Sequence, residues 1–236
     1  MKKIFVACFL FFILPSFGFK ILAQNDVRNS VIYKLNIGVY NRSIKYNDYR
    51  LAINALYNLC VLEPQNDSLL VALEYIYFNN REYISAVLVA NDALMLNPNN
   101  IESREMKAIS LEQIGAKDKA IEEYETLYLK NNQHLDYLYK TAFLQYDVQR
   151  YKEAKTNVDI LLSMNVIDSL EITFPKGENE QQQIPMRASL FNLKGMIEQA
   201  LGNKEEAKKQ FGAALEIIPD FYLARQNLDL LVQPAK

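Results

Sequence analysis

The chain has 236 residues, half of them hydrophobic, with 26 basic and 28 acidic residues, one histidine and two cysteines. A balance this close to neutral excludes the clustered Lys and Arg of a nucleic-acid surface, and one histidine with so few cysteines excludes a zinc site of plausible ligand count. No glycine-rich phosphate loop, no serine in a glycine elbow and no triad can be assembled, so the chain reads as non-catalytic and no cofactor is expected.

Lys2 and Lys3 precede an apolar run from Ile4 to Leu14, followed by Pro15, Ser16, Gly18 and a small Ala23 ahead of Gln24. A positive start, a short greasy middle and a small-residue exit describe a secretory signal peptide over residues 1–23. The run is shorter than the ~20 apolar residues of a membrane span, so an uncleaved anchor is the weaker alternative. Cys8 precedes most of the run, and cleavage there would leave a greasy terminus, so a lipoprotein reading is set aside. Cleavage after Ala23 would remove three lysines and no acid, leaving a mature charge of −5. It would also leave Cys60 without a disulfide partner; Cys60 sits at an apolar helical position and reads as a small core hydrophobe. The expected location is outside the cytoplasm, in a periplasm or secreted, with residues 24–32 forming an N-terminal tail.

From there a repeat takes over. Ala52, Ala86, Ala120 and Ala154 recur every 34 residues, and Pro64 and Pro98 keep the same step. Ala207 with Pro219 follows Ala154 by 53, one period plus 19 residues. The units are 33–66, 67–100, 101–134, 135–168 and 188–221, with residues 169–187 inserted and residues 222–236 forming a capping helix and tail. Each unit reads as two helices. In the second, Leu69, Leu70, Leu73, Ile76 and Tyr77 follow helical spacing, Asn79-Asn80-Arg81 breaks the run, and Tyr83, Val87, Ala90 and Leu94 start another face. Gly115 and Gly202 sit at the turn inside their units, where glycine adopts a left-handed backbone cheaply. Alanine on the second helix lets the first press against it, with Ala108, Ala142 and Gly195 as the matching small positions on the first. In the insertion, Glu171–Phe174 and Gln181–Ile184 flank a Lys-Gly-Glu-Asn cluster and suggest a small β-hairpin or an inserted loop, anchored by Ile172, Phe174 and Ile184. Leu223, Asn227, Leu228, Leu230 and Leu231 follow as one more amphipathic helix, covering the open end of the stack. The fold class is all-α: a right-handed α-α superhelix of about five helix-turn-helix units plus a C-terminal capping helix.

This pattern resembles the tetratricopeptide repeat. In the fifth unit the resemblance rests on Phe191, Gly195, Gly202, Ala207, Phe211, Ala214 and Pro219, and in the second on Leu70, Leu73, Tyr77, Tyr83, Ala86, Ala93 and Pro98. There are departures. Lys194 stands in for a leucine, Arg104 and Lys107 occupy large apolar positions, and Asn36 takes an aromatic position. The fourth unit lacks the proline and has Val158 for the aromatic.

The resemblance implies a groove lined by the first helix of each unit. Carried onto this chain, its positions are Asn41, Val71, Tyr75, Phe78, Glu105, Ile109, Glu112, Tyr139, Phe143, Tyr146, Asn192, Met196 and Gln199. A subclass of the family clamps a C-terminal carboxylate with Lys, Asn and Arg at such positions. Here only Asn41 matches, and Glu105, Glu112 and Asp136 would repel a carboxylate, so no such clamp is expected. The implied function is a protein–protein interaction scaffold of the bacterial cell envelope, with no nucleic acid and no integral membrane span after signal cleavage. Its partner segment would be apolar with some basic charge. Tyr75, Tyr139 and Tyr146 suit a half-wet groove, while Phe143 fits packing between helices equally well. The alternative is a glycan- or small-ligand-binding accessory protein using the aromatic faces of the same groove.

Overall fold

The computed structural model describes residues 16–131, 134–176 and 180–232, with side chains from Ser30 onward. The apolar run Ile4–Leu14, the centre of the expected signal peptide, and the tail beyond Val232 lie outside the described residues. Five helix pairs and a last helix follow one another. They are α1 (Ser16–Lys45) with α2 (Tyr49–Leu62), α3 (Asp67–Asn79) with α4 (Tyr83–Leu96), and α5 (Ile101–Gln113) with α6 (Lys117–Lys130). Then come α7 (Leu135–Asp147) with α8 (Tyr151–Leu162), α9 (Met186–Ala200) with α10 (Lys204–Ile217), and α11 (Tyr222–Val232). The second helices of the first four pairs start at Tyr49, Tyr83, Lys117 and Tyr151, one 34-residue period apart. The molecule is the solenoid of helical repeats that the alanine period specifies. Residues 24–32, expected as a tail, instead belong to α1: they contain neither Gly nor Pro, so nothing in them stops the helix.

Every pair turns on the same device. Asn47, Arg81, Gly115, Gln149 and Gly202 occupy one register position, and all are left-handed, with φ of 57°, 61°, 77°, 63° and 85°. The following amide closes back onto the carbonyl five residues earlier: Asp48 to Ser43 at 2.8 Å, Glu82 to Tyr77 at 2.8 Å, Ala116 to Leu111 at 2.9 Å, Arg150 to Gln145 at 2.8 Å and Asn203 to Glu198 at 2.8 Å. This is the Schellman closure of a helix end, which wants glycine at the left-handed residue. Two units have it and three do not. Gln149→Gly is therefore expected to stabilise the fold by about 0.5–1 kcal/mol, read as a raised urea midpoint. A lowered midpoint would show that the Gln149 side chain contributes more than its backbone strain costs.

The crossing inside the second to fifth pairs is a matched set of volumes. Gly195 faces Phe211, whose ring leaves no room for a Cβ. In the same register the third unit has Ala108 and Tyr124, and the fourth has Ala142 and Val158. All of these residues are buried. A small residue on the first helix goes with a larger one on the second, because interiors are close-packed and the two must sum to one volume. The second unit inverts the order, with Glu74 on the first helix and Ala90 on the second, both at 0 % exposure.

The polar departures from the repeat pattern, Arg104, Lys107, Lys194 and Asn36, make ion pairs and hydrogen bonds. Arg104 and Lys107 both reach Glu123 of α6, each at 2.6 Å. That carboxylate is only 13 % exposed, so it belongs to the helix crossing rather than to the solvated face its sequence neighbour Glu122 occupies. Lys194 of α9 pairs with Asp159 of α8 at 2.7 Å. Asn36 is buried; its amide donates to the Ile32 carbonyl at 2.8 Å and its oxygen accepts from Asn58 at 3.0 Å.

The insertion is an antiparallel hairpin, β1 (Glu171–Lys176) with β2 (Glu180–Pro185), entered through a 3-10 turn at Asn165–Ser169. Its inner face joins two cores. Ile172 packs on the cluster that contains Ile167, Met186 and Leu190, while Ile184 and Phe174 pack with Phe221, Ala214 and Ala224. The Phe174 and Phe221 rings lie 5.5 Å apart, and the Gln182 amide donates to the Asp220 carbonyl at 2.9 Å. The hairpin thus ties the fourth unit to the fifth and the fifth to α11. On α11 itself, Leu223 and Leu228 pack inward and Leu230 stays exposed.

Candidate functional site

The first helices α3 and α5 lie side by side, with α3 touching α5 directly as well as its own partner α4. Asn66 and Asn100 cap α3 and α5 through Ser68 N at 3.2 Å and Ser103 N at 3.0 Å, and Asn97 reaches back to Asp67 at 2.8 Å. These polar junctions set adjacent first helices side by side, which creates the clefts between them.

Two clefts contain groove positions expected from the sequence. One, of about 450 Å³, lies between α3 and the start of α5 and is lined by Ser68, Val71, Ala72, Tyr75, Asn100 and Glu102. Tyr75 is 56 % exposed there and Val71 is half-buried. The other, of about 280 Å³, lies one unit along and brings together Glu105, Ile109, Glu112, Asp136, Tyr137 and Lys140. Tyr137 donates its hydroxyl to Glu105, Tyr124 donates to Glu112 at 3.1 Å, and Lys140 donates to Glu112 at 3.1 Å. Burial, and then these carboxylates, push the Tyr124 and Tyr137 phenols far above their ordinary range, so both remain hydrogen-bond donors. Asp136 is exposed at the rim, so the cleft keeps an excess of negative charge over Lys140.

The remaining expected positions divide by burial. Asn41 and Gln199 are exposed, and Phe78, Phe143, Tyr146 and Met196 are half-buried. Phe143 and Tyr146 pack against the core of the fourth and fifth units, and the Phe78 ring meets Tyr83 edge-on at 5.9 Å. Two positions do not present themselves to a partner. Tyr139 is 7 % exposed and shares a 2.7 Å hydrogen bond with Ser189, and burial pushes its phenol up to about 12. Asn192 is buried and accepts from Asn227 of α11 at 2.9 Å. Both are taken up by the neighbouring first helix, because in a stacked array that helix leans over part of the groove register.

Glu74 was not among the expected residues. It lies on α3 at the junction with α5; Oε2 accepts from the Ser103 hydroxyl at 2.6 Å, while Oε1 is buried without a partner. Burial pushes its carboxyl up to about 8; the Ser103 bond and Lys107 oppose that rise and Glu102 adds to it. Alignment of the five units would have flagged it, since the third, fourth and fifth have Ala108, Ala142 and Gly195 there. Glu198 is equally buried but ionised: burial opposes that, and the ion pair with Lys155 and a 2.7 Å bond from Asn203 outweigh it and hold its carboxyl below the usual range. Cys60 is half-buried, and burial raises its thiol. Among the described residues, no three of His, Cys, Asp and Glu are grouped to hold a metal ion, and no helix is long and apolar enough to cross a membrane.

Residues 188–221, which take in α9 from its third residue and the whole of α10, match the family model of the tetratricopeptide repeat. The fold is that of a tetratricopeptide-repeat solenoid. A tetratricopeptide-repeat protein from Parabacteroides merdae superposes with a TM-score of 0.61 at 21 % identity, over 85 % of this chain and 72 % of that one. YrrB, a tetratricopeptide-repeat protein with an unusual peptide-binding site, gives 0.62 at 16 % identity over 81 % and 89 %. MamA gives 0.60 at 16 % identity over 87 % and 98 %. At these identities the likeness is one of fold. No curated protein matches the sequence.

Proposed function

We propose that this tetratricopeptide-repeat chain is a non-catalytic interaction scaffold of the bacterial cell envelope, exported by its N-terminal segment and holding a segment of another protein along α3, α5 and α7. The observation that carries the reading is the pair of adjacent clefts, one offering the exposed Tyr75 beside Val71 and the next a surplus of carboxylate around Ile109. An apolar anchor can bury against the tyrosine ring, which supplies large contact area with a polar edge. A basic side chain one unit along would meet Glu105, Glu112 and Asp136. YrrB, which shares the fold, has a peptide-binding site, and that supports the reading by analogy.

The test is capture of envelope proteins by the purified chain and by Tyr75→Ala/Ile109→Ala. Tyr75 is exposed and Ile109, though half-buried, packs against the core of the third unit, so the variant is expected to fold with a lowered melting temperature and to lose at least tenfold in affinity, as anchors at an interface do. Undiminished capture by the folded variant removes the groove from the mechanism. A glycan panel run in parallel separates the carbohydrate-binding alternative. For export, N-terminal sequencing is expected to find Gln24 first; an intact Met1 on a membrane-bound product would overturn it.

A further inference from the structure

The outer surface of the solenoid divides into two unlike halves. The second helices α6, α8 and α10 carry seven, four and six charged residues, while α2 and α4 carry one each, Arg50 and Asp92. In place of charge, α2 and α4 expose large apolar side chains. Leu51, Tyr57 and Val61 on α2, and Ile84, Leu88 and Met95 on α4, are between 46 % and 80 % exposed. Both helices pack on α3. Val89 of α4 shares a buried cluster with Leu56 and Leu59 of α2 and with Leu69 and Leu73 of α3, and Cys60, Met95 and Leu96 line one cleft of about 270 Å³ together with Leu70, Glu63 and Asp92. A soluble surface seldom concentrates this much apolar area without an occupant.

We propose that the outer faces of α2 and α4 form a self-complementary interface that joins two copies of this chain about a two-fold axis. Charge chooses the occupant. The balance of the whole chain is close to neutral, so long-range repulsion between copies is weak, and the two helices bring only one charge each into a contact. The face also carries its own complement: one cation near the start of α2 and one anion in the later half of α4, both exposed. With α2 of one copy antiparallel to α4 of the other, Arg50 meets the turn that holds Asp92. The axis generates that ion pair twice, as an isologous contact requires. A lipid surface is disfavoured, because amphipathic faces that lie on membranes carry several Lys or Arg at their rim, and here the helices with their flanking turns set Arg50 and Arg81 against Asp48, Glu63, Glu82 and Asp92. The footprint of two 14-residue helices with their flanking turns suits the roughly 20–30 residues per partner of a standard interface. This interface does not use the groove of the first helices, and its failure leaves the scaffold reading intact.

The experiment is the mass of the purified chain against concentration, by sedimentation equilibrium. The wild type is expected to reach twice its monomer mass. Leu88→Glu and Met95→Glu, both at exposed positions, are expected to remain monomeric with unchanged helicity and melting temperature. Arg50→Asp and Asp92→Arg are each expected to weaken the dimer by roughly tenfold, and the double swap to restore it. A wild type that stays monomeric overturns the proposal. So does a dimer that survives both Glu variants, or a double swap no tighter than either single. A monomeric wild type whose Leu88→Glu variant alone loses an envelope partner would assign the face to a different protein, and overturns it too.

Discussion

Gly195→Leu is expected to cost about 3 kcal/mol of stability, and Gly195→Ala to cost about 1 kcal/mol although alanine is the better helix former. A Cβ at Gly195 would stand 2.5 Å and 2.6 Å from two ring carbons of Phe211. That ring is fully buried and has nowhere to swing, so the overlap must be relieved by shifting α9 against α10. The cure is to remove volume on the other side. Gly195→Ala with Phe211→Val recreates the Ala142 and Val158 pair of the fourth unit. The double variant is expected to be more stable than the two single effects summed, with a coupling on the order of 1–2 kcal/mol. Chemical denaturation of the four proteins gives the cycle. Simple additivity would mean that the two positions do not share one volume.

The second large effect is a pH dependence centred on Glu74. Its carboxyl is raised from 4.5 to about 8 by burial, so over that window the folded state holds a proton that the unfolded state has released. The stabilisation linked to this group is complete below pH 4.5 and is lost as pH rises through 8. The loss is on the order of 4 kcal/mol in the wild type. Glu74→Gln keeps the shape and removes the titration. Paired carboxylates such as Asp67 and Glu198 are shifted downward and pull the opposite way at lower pH, so the quantity to measure is the difference between the two proteins. Relative to Glu74→Gln, the wild type is expected to lose stability steadily from pH 5 to pH 8 in urea titrations. A difference that stays flat with pH would show that Glu74 is ionised throughout.

Much of the fold was legible in the residues because a repeat states its own period. Ala52, Ala86, Ala120 and Ala154 all fall at 0 % exposure, since only a methyl group fits where two helices cross closely. Gly115 and Gly202 marked two of the five turns. Asn79-Asn80-Arg81 marked a third, and the other two were hidden, because Asn47 and Gln149 are held left-handed by the helices they join without a glycine to announce it. The candidate groove was half legible. Register places Tyr75, Ile109 and Tyr139 on first helices, but a one-dimensional period does not say how far the next helix leans over each position. Tyr139 therefore went under its neighbour while Tyr75 stayed in the open.

The sequence by itself determined the helix pairs, their period, the inserted segment and the capping helix, because each depends on spacing along one chain. The tertiary structure alone decided which charges are inside. Glu74 is marked in the sequence only by standing where other units have Ala108, Ala142 and Gly195, and Glu123 and Glu198 look like any solvated acid. Their burial follows from the partners that other helices bring to them: Ser103 to the first, Arg104 and Lys107 to the second, Lys155 and Asn203 to the third. An ionisable side chain enters a core only when something there meets it, and that something comes from 5 to 43 residues away.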